Sequence, residues 1–225
     1  MKGITFKPTK DQLQAKEDAY FSVDGYNSEK NRIIAFCEES GTLVDLGIAL
    51  NFFLGDRPGE LSTVLKSDVG KDFHFIWINK TEQRYKDKDT GKYVTEVYPA
   101  PKTEAGIRPN PIVDDAIPIL QKICLQSNPD SPWLFSDEKY DRYTNAKFQR
   151  RLQTICKKLN IDSKSFTDMR HTFTSEVDES ELPEKSKAAI AGHTDYKTTK
   201  DNYNQDVHDI EYKREALNKV LNKVM

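Results

Sequence analysis

The sequence predicts a mainly α-helical domain with a small antiparallel β-sheet, an α+β architecture. Three observations carry this expectation. Residues 41–54 (GTLVDLGIALNFFL) are almost continuously apolar and long enough for a buried central helix. Residues 143–159 and 209–224 place apolar side chains at helical spacing beside charged sectors. Two runs rich in aromatic and β-branched residues, FHFIWI (73–78) and YVTEVY (93–98), read as neighbouring strands with Asp89-Thr90-Gly91 in their connection. This is not a βαβ series, so a Rossmann-type fold is disfavoured.

The elements follow in order. Residues 9–20 read as a helix with Thr9 as its N-cap, and 21–28 as a loop turning at Asp24-Gly25. Residues 29–39 and 41–54 are helices, the second ending at Gly55-Asp56-Arg57-Pro58-Gly59, where Gly and Pro terminate helical structure. A short helix is expected over 60–65. After the two strands, Ile107–Ile112 reads as a third strand, confined to the sheet edge by Pro109 and Pro111. The remainder is helical: 113–127, 143–159, 166–179, 184–191, 195–203 and 209–224. In 143–159, Phe148, Leu152, Ile155, Cys156 and Leu159 form one stripe, and Lys147, Arg150, Arg151, Lys157 and Lys158 form a separate, solvent-facing sector. In the last helix Ile210, Leu217, Val220, Leu221 and Val224 form a stripe that must be buried on its own domain or on a neighbouring protomer.

Composition excludes several classes. With 36% hydrophobic and 31% charged residues and a mean hydropathy of -0.74, the chain is polar, yet its 11 Phe and 10 Tyr can fill a core. No run approaches the ~20 apolar residues of a membrane-spanning helix. The N-terminal MKGITFKPTK has no apolar signal region. Cys37, Cys124 and Cys156 are widely spaced, and the four histidines form neither HExxH nor HxxxH, so neither a disulfide scaffold nor a zinc site is expected.

The net charge of -2 and pI near 6.1 conceal a segregation. From Arg142 to Arg170 there are eight Lys or Arg against two Asp, while the first 60 residues are rich in acid. Such a basic segment suits a polyanionic partner, although a solvated helix face would look the same.

Four segments contain residue types suited to phosphate chemistry. They are Gly55-Asp56-Arg57-Pro58-Gly59-Glu60-Leu61, Pro101-Lys102-Thr103-Glu104-Ala105-Gly106-Ile107-Arg108, Thr167-Asp168-Met169-Arg170-His171-Thr172-Phe173, and Ala191-Gly192-His193 with Tyr203 ten residues beyond. Each alone reads as ordinary. Their order and separation resemble the catalytic domain of the tyrosine recombinases, the phage-integrase family, over roughly residues 40–205. The family pattern is a GxRxGEL-like turn, a sheet lysine, HxLRH, LGH and a tyrosine nine or ten residues on.

The resemblance implies a tyrosine recombinase catalytic-domain fold and a site-specific DNA recombinase or integrase working through a 3′-phosphotyrosyl intermediate, without metal, ATP or other cofactor. Two guanidiniums can clamp the nonbridging oxygens of a phosphodiester as negative charge develops there. A phenol can attack the phosphorus, and a lysine can protonate the leaving 5′ oxygen. By position, Arg57 and Arg170 would be the clamp, Tyr203 the nucleophile, His193 a phosphate hydrogen-bond donor and Lys102 the general acid. Glu60 would support its neighbours. Lys147, Arg150, Arg151, Lys157 and Lys158 would contact DNA. The partners implied are double-stranded DNA and further copies of the chain, four in a synapse, with no membrane. The implied setting is the bacterial cytoplasm, at the nucleoid when bound to DNA.

Two departures stand out. Thr167 occupies the position where the family usually has histidine. Threonine can hydrogen-bond but cannot serve as a base near neutral pH, so a catalytically impaired DNA-binding protein of the same fold is the alternative. His171 is expected to pack in the core about 100° around the helix from Arg170, a poor substitute. Secondly, only about 40 residues precede the first motif region. The chain is therefore expected to be a single catalytic domain (1–225), with a leading segment (1–28), no N-terminal core-binding domain, and a C-terminal helix (208–225) open to exchange between protomers. A helical scaffold assembling through that helix is the unrelated alternative.

Overall fold

The computed structural model describes residues 20–99, 106–139, 141–192 and 208–222. The expected helix at 195–203 and all of that at 9–20 except Tyr20, which is not helical, lie outside them. In chain order the elements are α1 (Glu29–Ser40), α2 (Leu43–Leu54), the single-turn α3 (Pro58–Leu61), a 3-10 turn (Lys66–Asp68), β1 (Phe75–Ile78), β2 (Thr81–Lys86), β3 (Tyr93–Tyr98) and β4 (Arg108–Pro111). A second 3-10 turn (Asp114–Ala116) follows. The rest is α4 (Ile117–Gln126), α5 (Asn145–Lys158), α6 (Phe166–Asp178), α7 (Glu184–Ala191) and α8 (Ile210–Leu221).

Helix α2 is the centre. From Asp45 to Leu54 every residue is buried, and the helix packs against α1, α4, α5 and α6. The Thr42 hydroxyl caps its start by accepting from the Asp45 N–H. Gly55 ends it in the left-handed region at φ 57°, its N–H donating to the Asn51 carbonyl. Fully buried Phe52, Phe53, Phe135, Phe148, Phe166 and Phe173 fill the surrounding core, and each such burial contributes ~1.5–3 kcal/mol. Helix α6 begins with a capping box between Ser165 and Asp168.

The β-structure differs from the expected single sheet. Among the described residues there are two two-stranded antiparallel ribbons, β1–β4 and β2–β3. Strand β2, TEQRYK, is polar and exposed or half-buried throughout, so it carries none of the burial signal by which a strand is recognised. It is held by its register with β3, Thr81 opposite Tyr98 through Lys86 opposite Tyr93. In β1–β4, Ile78 faces Arg108 and Ile76 faces Asn110. The Ile112 N–H donates to the His74 carbonyl, so alternate N–H groups of β4 point at β1 and Pro109 and Pro111 fall on the outer margin. Side chains alternate likewise. Ile76, Ile78, Arg108 and Asn110 share the buried face.

The short helix after α2 starts at Pro58, earlier than the expected 60–65, because proline at the first helical position lacks an N–H that would have no partner there. Helix α8 lies on α6 and β4 of its own chain. Leu217 and Leu221 are buried, and the Arg214 guanidinium donates to the Ile112 carbonyl at 2.7 Å. No helix among the described residues is long and apolar enough to cross a membrane.

Candidate functional site

The site forms where the turn after α2, strand β4 and the end of α7 meet. Arg57 is the N-cap of α3. Its Nη1 donates to Glu60 Oε1 at 2.7 Å, and its backbone N–H donates to Glu60 Oε2 at 3.1 Å. Its Nη2 points at the Gly192 carbonyl at 3.4 Å, and its side chain remains 43% exposed. Arg170 projects from α6. Its Nη1 donates to the Gly55 carbonyl at 2.8 Å, its Nη2 donates to the Ala191 carbonyl, and the residue is only 8% exposed. Two guanidiniums 113 positions apart in sequence thus meet consecutive carbonyls at the end of α7, immediately before His193.

Beneath them lies a buried polar layer. Arg108 Nη2 donates to Asp56 Oδ1 at 2.9 Å and to Glu60 Oε2 at 3.2 Å. Its Nε donates to the Ile190 carbonyl at 2.9 Å and its Nη1 to the Gly106 carbonyl at 3.1 Å. Asn110 donates to Asp56 Oδ1 and to the Leu54 carbonyl. Two glycines permit this packing. A Cβ on Gly192, which sits at φ 59°, would lie 2.8 Å from Arg108 Nη1; one on Gly55 would lie 2.1 Å from Phe173 Cδ1.

The electrostatics follow from crowding. Burial, then the neighbouring Arg57 and Arg108 cations, bring Arg170 down to about 10, with Glu60 and Asp56 opposing; it stays protonated at neutral pH. Burial pushes the Asp56 carboxyl well above the usual carboxylate range, against the pull of Arg108. Burial would also raise Glu60, but Arg108 and Arg57 outweigh it and hold that carboxyl below its ordinary value. With Glu60 ionised and Asp56 drawn toward its neutral form, three guanidiniums outnumber the carboxylate charge, so the site is net positive and Arg57 is the cation open to solvent.

Of the residues singled out in the sequence, Arg57, Glu60 and Arg170 are brought together. Lys102, His193 and Tyr203 lie outside the described residues. Thr167 is exposed in the first turn of α6. His171 does not pack in the core as expected. It is exposed, its ring 6.0 Å from that of Tyr20, because the buried face of α6 is taken by Met169, Arg170, Thr172 and Phe173.

The basic segment is also redistributed. Lys147, Arg150, Lys157 and Lys158 are exposed on α5. Arg151 is instead turned inward onto Asp45, Nε to Oδ1 and Nη2 to Oδ2 both at 2.6 Å. Arg142 pairs with Glu82, and Lys164 with Glu29.

Asp56, Arg108 and Asn110 were not assigned to the site from sequence. The available signal was the period of two in Arg108-Pro109-Asn110-Pro111-Ile112, which puts an arginine and an asparagine on the same face as Ile112.

The profile of the phage integrase family matches residues 26–209. No protein of curated function matches the chain in sequence. Solved structures of similar fold include the integrase of transposon Tn1549 in complex with transposon right-end DNA (17% identity, 87% of this chain and 61% of that one, TM-score 0.57). Others are XerA recombinase (18% identity, 85% and 58%, TM-score 0.57) and a lambda integrase dimer bound to a COC′ core site (15% identity, 79% and 45%, TM-score 0.52). The chain therefore spans at most about three fifths of the length of these proteins.

Proposed function

The chain belongs to the phage integrase family, and from that premise we propose that it is the catalytic region of a site-specific DNA recombinase that cleaves and rejoins duplex DNA through a 3′-phosphotyrosyl link. The observation that carries this reading is the convergence of Arg57 and Arg170 on the carbonyls of Gly192 and Ala191. A phosphodiester placed at this convergence supplies the missing negative charge, and Arg57 reaches it from the solvent side.

In this reading the Tyr203 oxygen loses its proton to water and bonds to phosphorus as the bond to the 5′ oxygen breaks. The 5′ oxygen takes a proton from Lys102, and His193 donates a hydrogen bond to the phosphate. Charge accumulating on the nonbridging oxygens is met by the two guanidiniums in a site from which water is partly excluded. The phosphotyrosyl bond keeps the energy of the broken linkage, so a 5′ hydroxyl of another strand can reverse the step. Exposed Lys147, Arg150, Lys157 and Lys158 on α5 hold flanking phosphates, and strand exchange between two duplexes engages four copies of the chain.

The test is covalent trapping. The full chain is incubated with a pool of nicked duplexes of randomised sequence whose short 5′ product diffuses away. A denaturant-resistant protein–DNA adduct that disappears in Tyr203→Phe supports the reading. Salt-sensitive DNA binding with no adduct, and with wild type and Tyr203→Phe alike, would instead identify a DNA-binding module, the outcome that Thr167 makes chemically reasonable.

A further inference from the structure

Arg108 is 5% exposed, and four hydrogen bonds leave its guanidinium almost fully engaged. Its partners come from three separate stretches of chain. Asp56 and Glu60 flank Arg57. Gly106 ends the connection that contains Lys102, four residues earlier. Ile190 lies in the last turn of α7, and Gly192, packed against the same guanidinium, precedes His193. No other described side chain has hydrogen bonds to all three stretches. A planar fork with fixed donor directions sets distances and angles between its acceptors, which a flexible ammonium does not.

We propose that Arg108 is a positioning residue: it fixes the Arg57 turn, the exit of the β3–β4 connection and the end of α7 in one arrangement, so that the groups on these segments address one phosphate together. It touches neither phosphate nor nucleophile. This rests on the recombinase reading above, because only there do the three segments act on a common atom. Misplacement of reacting groups by about 1 Å costs on the order of 10²-fold in rate, and three segments that move independently accumulate such errors.

The test separates positioning from mere stability. Arg108→Met alone strands two carboxylates and risks misfolding, so the informative variants are Arg108→Lys and the charge-compensated Arg108→Met/Asp56→Asn. Two readouts are taken on the full chain. Hydrogen exchange is followed by mass spectrometry over residues 56–61, 106–112 and 187–192, with 43–54 as internal reference. Adduct formation and DNA affinity are measured on a nicked duplex recovered from the trapping pool. The expected result for the double variant is exchange at least ~10-fold faster in the three segments and unchanged over 43–54. DNA affinity stays within about threefold, and the adduct forms ~10²-fold more slowly. Arg108→Lys falls between this variant and wild type.

Wild-type exchange in the three segments, uniform loosening of the whole chain, or a wild-type cleavage rate despite local loosening would each overturn the proposal. If wild type forms no adduct on any duplex, the recombinase reading fails. The exchange pattern then decides alone whether Arg108 ties the three segments together.

Discussion

The guanidinium of Arg151 meets the carboxylate of Asp45 edge to edge, with Nε–Oδ1 and Nη2–Oδ2 both at 2.6 Å. The pair joins α5 to the first turn of α2. Asp45 is fully buried and also accepts from the Ser40 hydroxyl, while Arg151 keeps 27% of its side chain in solvent.

This asymmetry sets the first prediction. Burial acts to raise the Asp45 carboxyl, but Arg151, Ser40 and Thr42 hold it below its ordinary value. Its folded pKa lies below the unfolded one, so its contribution is present above the ordinary carboxylate range and is lost as pH falls through the lower folded value. Arg151→Met leaves a buried carboxylate without its cation and is expected to destabilise by about 3–5 kcal/mol at neutral pH. Asp45→Asn leaves a partly solvated cation and should cost less. Because Arg151→Met raises the Asp45 pKa above its unfolded value, its deficit should shrink as the pH is lowered through about 4. Urea melts from pH 3 to 7 check this; equal deficits at all pH values would contradict it.

The same pair predicts which cations face DNA. Binding to a duplex should weaken with salt, and neutralising Lys147, Arg150, Lys157 or Lys158 to Gln should each lower the slope of log K against log salt by about one where that side chain meets a phosphate. Arg151→Gln should leave the slope unchanged and reduce stability instead. Anisotropy titrations between 50 and 200 mM KCl, values chosen to span the steep region, measure both. A slope change for Arg151→Gln matching those of the exposed cations would refute the assignment.

Arg57 and Arg170 should fail differently. Arg57→Ala removes a half-exposed side chain but also the donor to buried Glu60 Oε1, so it should lower Tm modestly, by less than Arg170→Ala. Arg170→Ala removes the donors to the Gly55 and Ala191 carbonyls. Each buried acceptor left unpaired costs ~1–3 kcal/mol, partly offset by relief of repulsion from Arg57 and Arg108. Both variants should lower adduct formation by at least ~10²-fold, the usual cost of losing one stabilising donor in the transition state. Calorimetry alongside the trapping assay distinguishes them; an Arg57→Ala protein that still cleaves at the wild-type rate would remove that residue from the clamp.

Gly55→Ala should be severe for its size. It requires a Cβ at φ 57° and sets that carbon 2.1 Å from Phe173 Cδ1, on the residue whose carbonyl orients Arg170. Overpacking a filled core costs ~1–3 kcal/mol, with backbone strain in addition. For a chain of this length about 2–4 °C in Tm accompanies each kcal/mol. A variant within 2 °C of wild type, less than the lower end of that range, would show that Phe173 yields freely.

Helices were readable from sequence where apolar periodicity and a cap agreed, as in α1, α2, α5 and α6. Strand β2 was not, because a ribbon solvated on both sides has no hydrophobic alternation and is defined by its partner. At the site, Arg57, Glu60 and Arg170 could be chosen because their types and order suit phosphate chemistry. Arg108 and Asp56 could not, since a charge is buried only when distant segments supply its counterions. Arg151 illustrates the same limit from the other side: helical spacing put it in the solvent-facing sector, and Asp45 on another helix turned it inward.

Pro109 and Pro111 have one further consequence. With no N–H on that margin, β4 cannot zip onto a foreign strand there, so sheet growth from one molecule to the next is blocked along this border. Any association between copies must therefore use other surfaces, and crowding several of them together does not invite strand addition along this border.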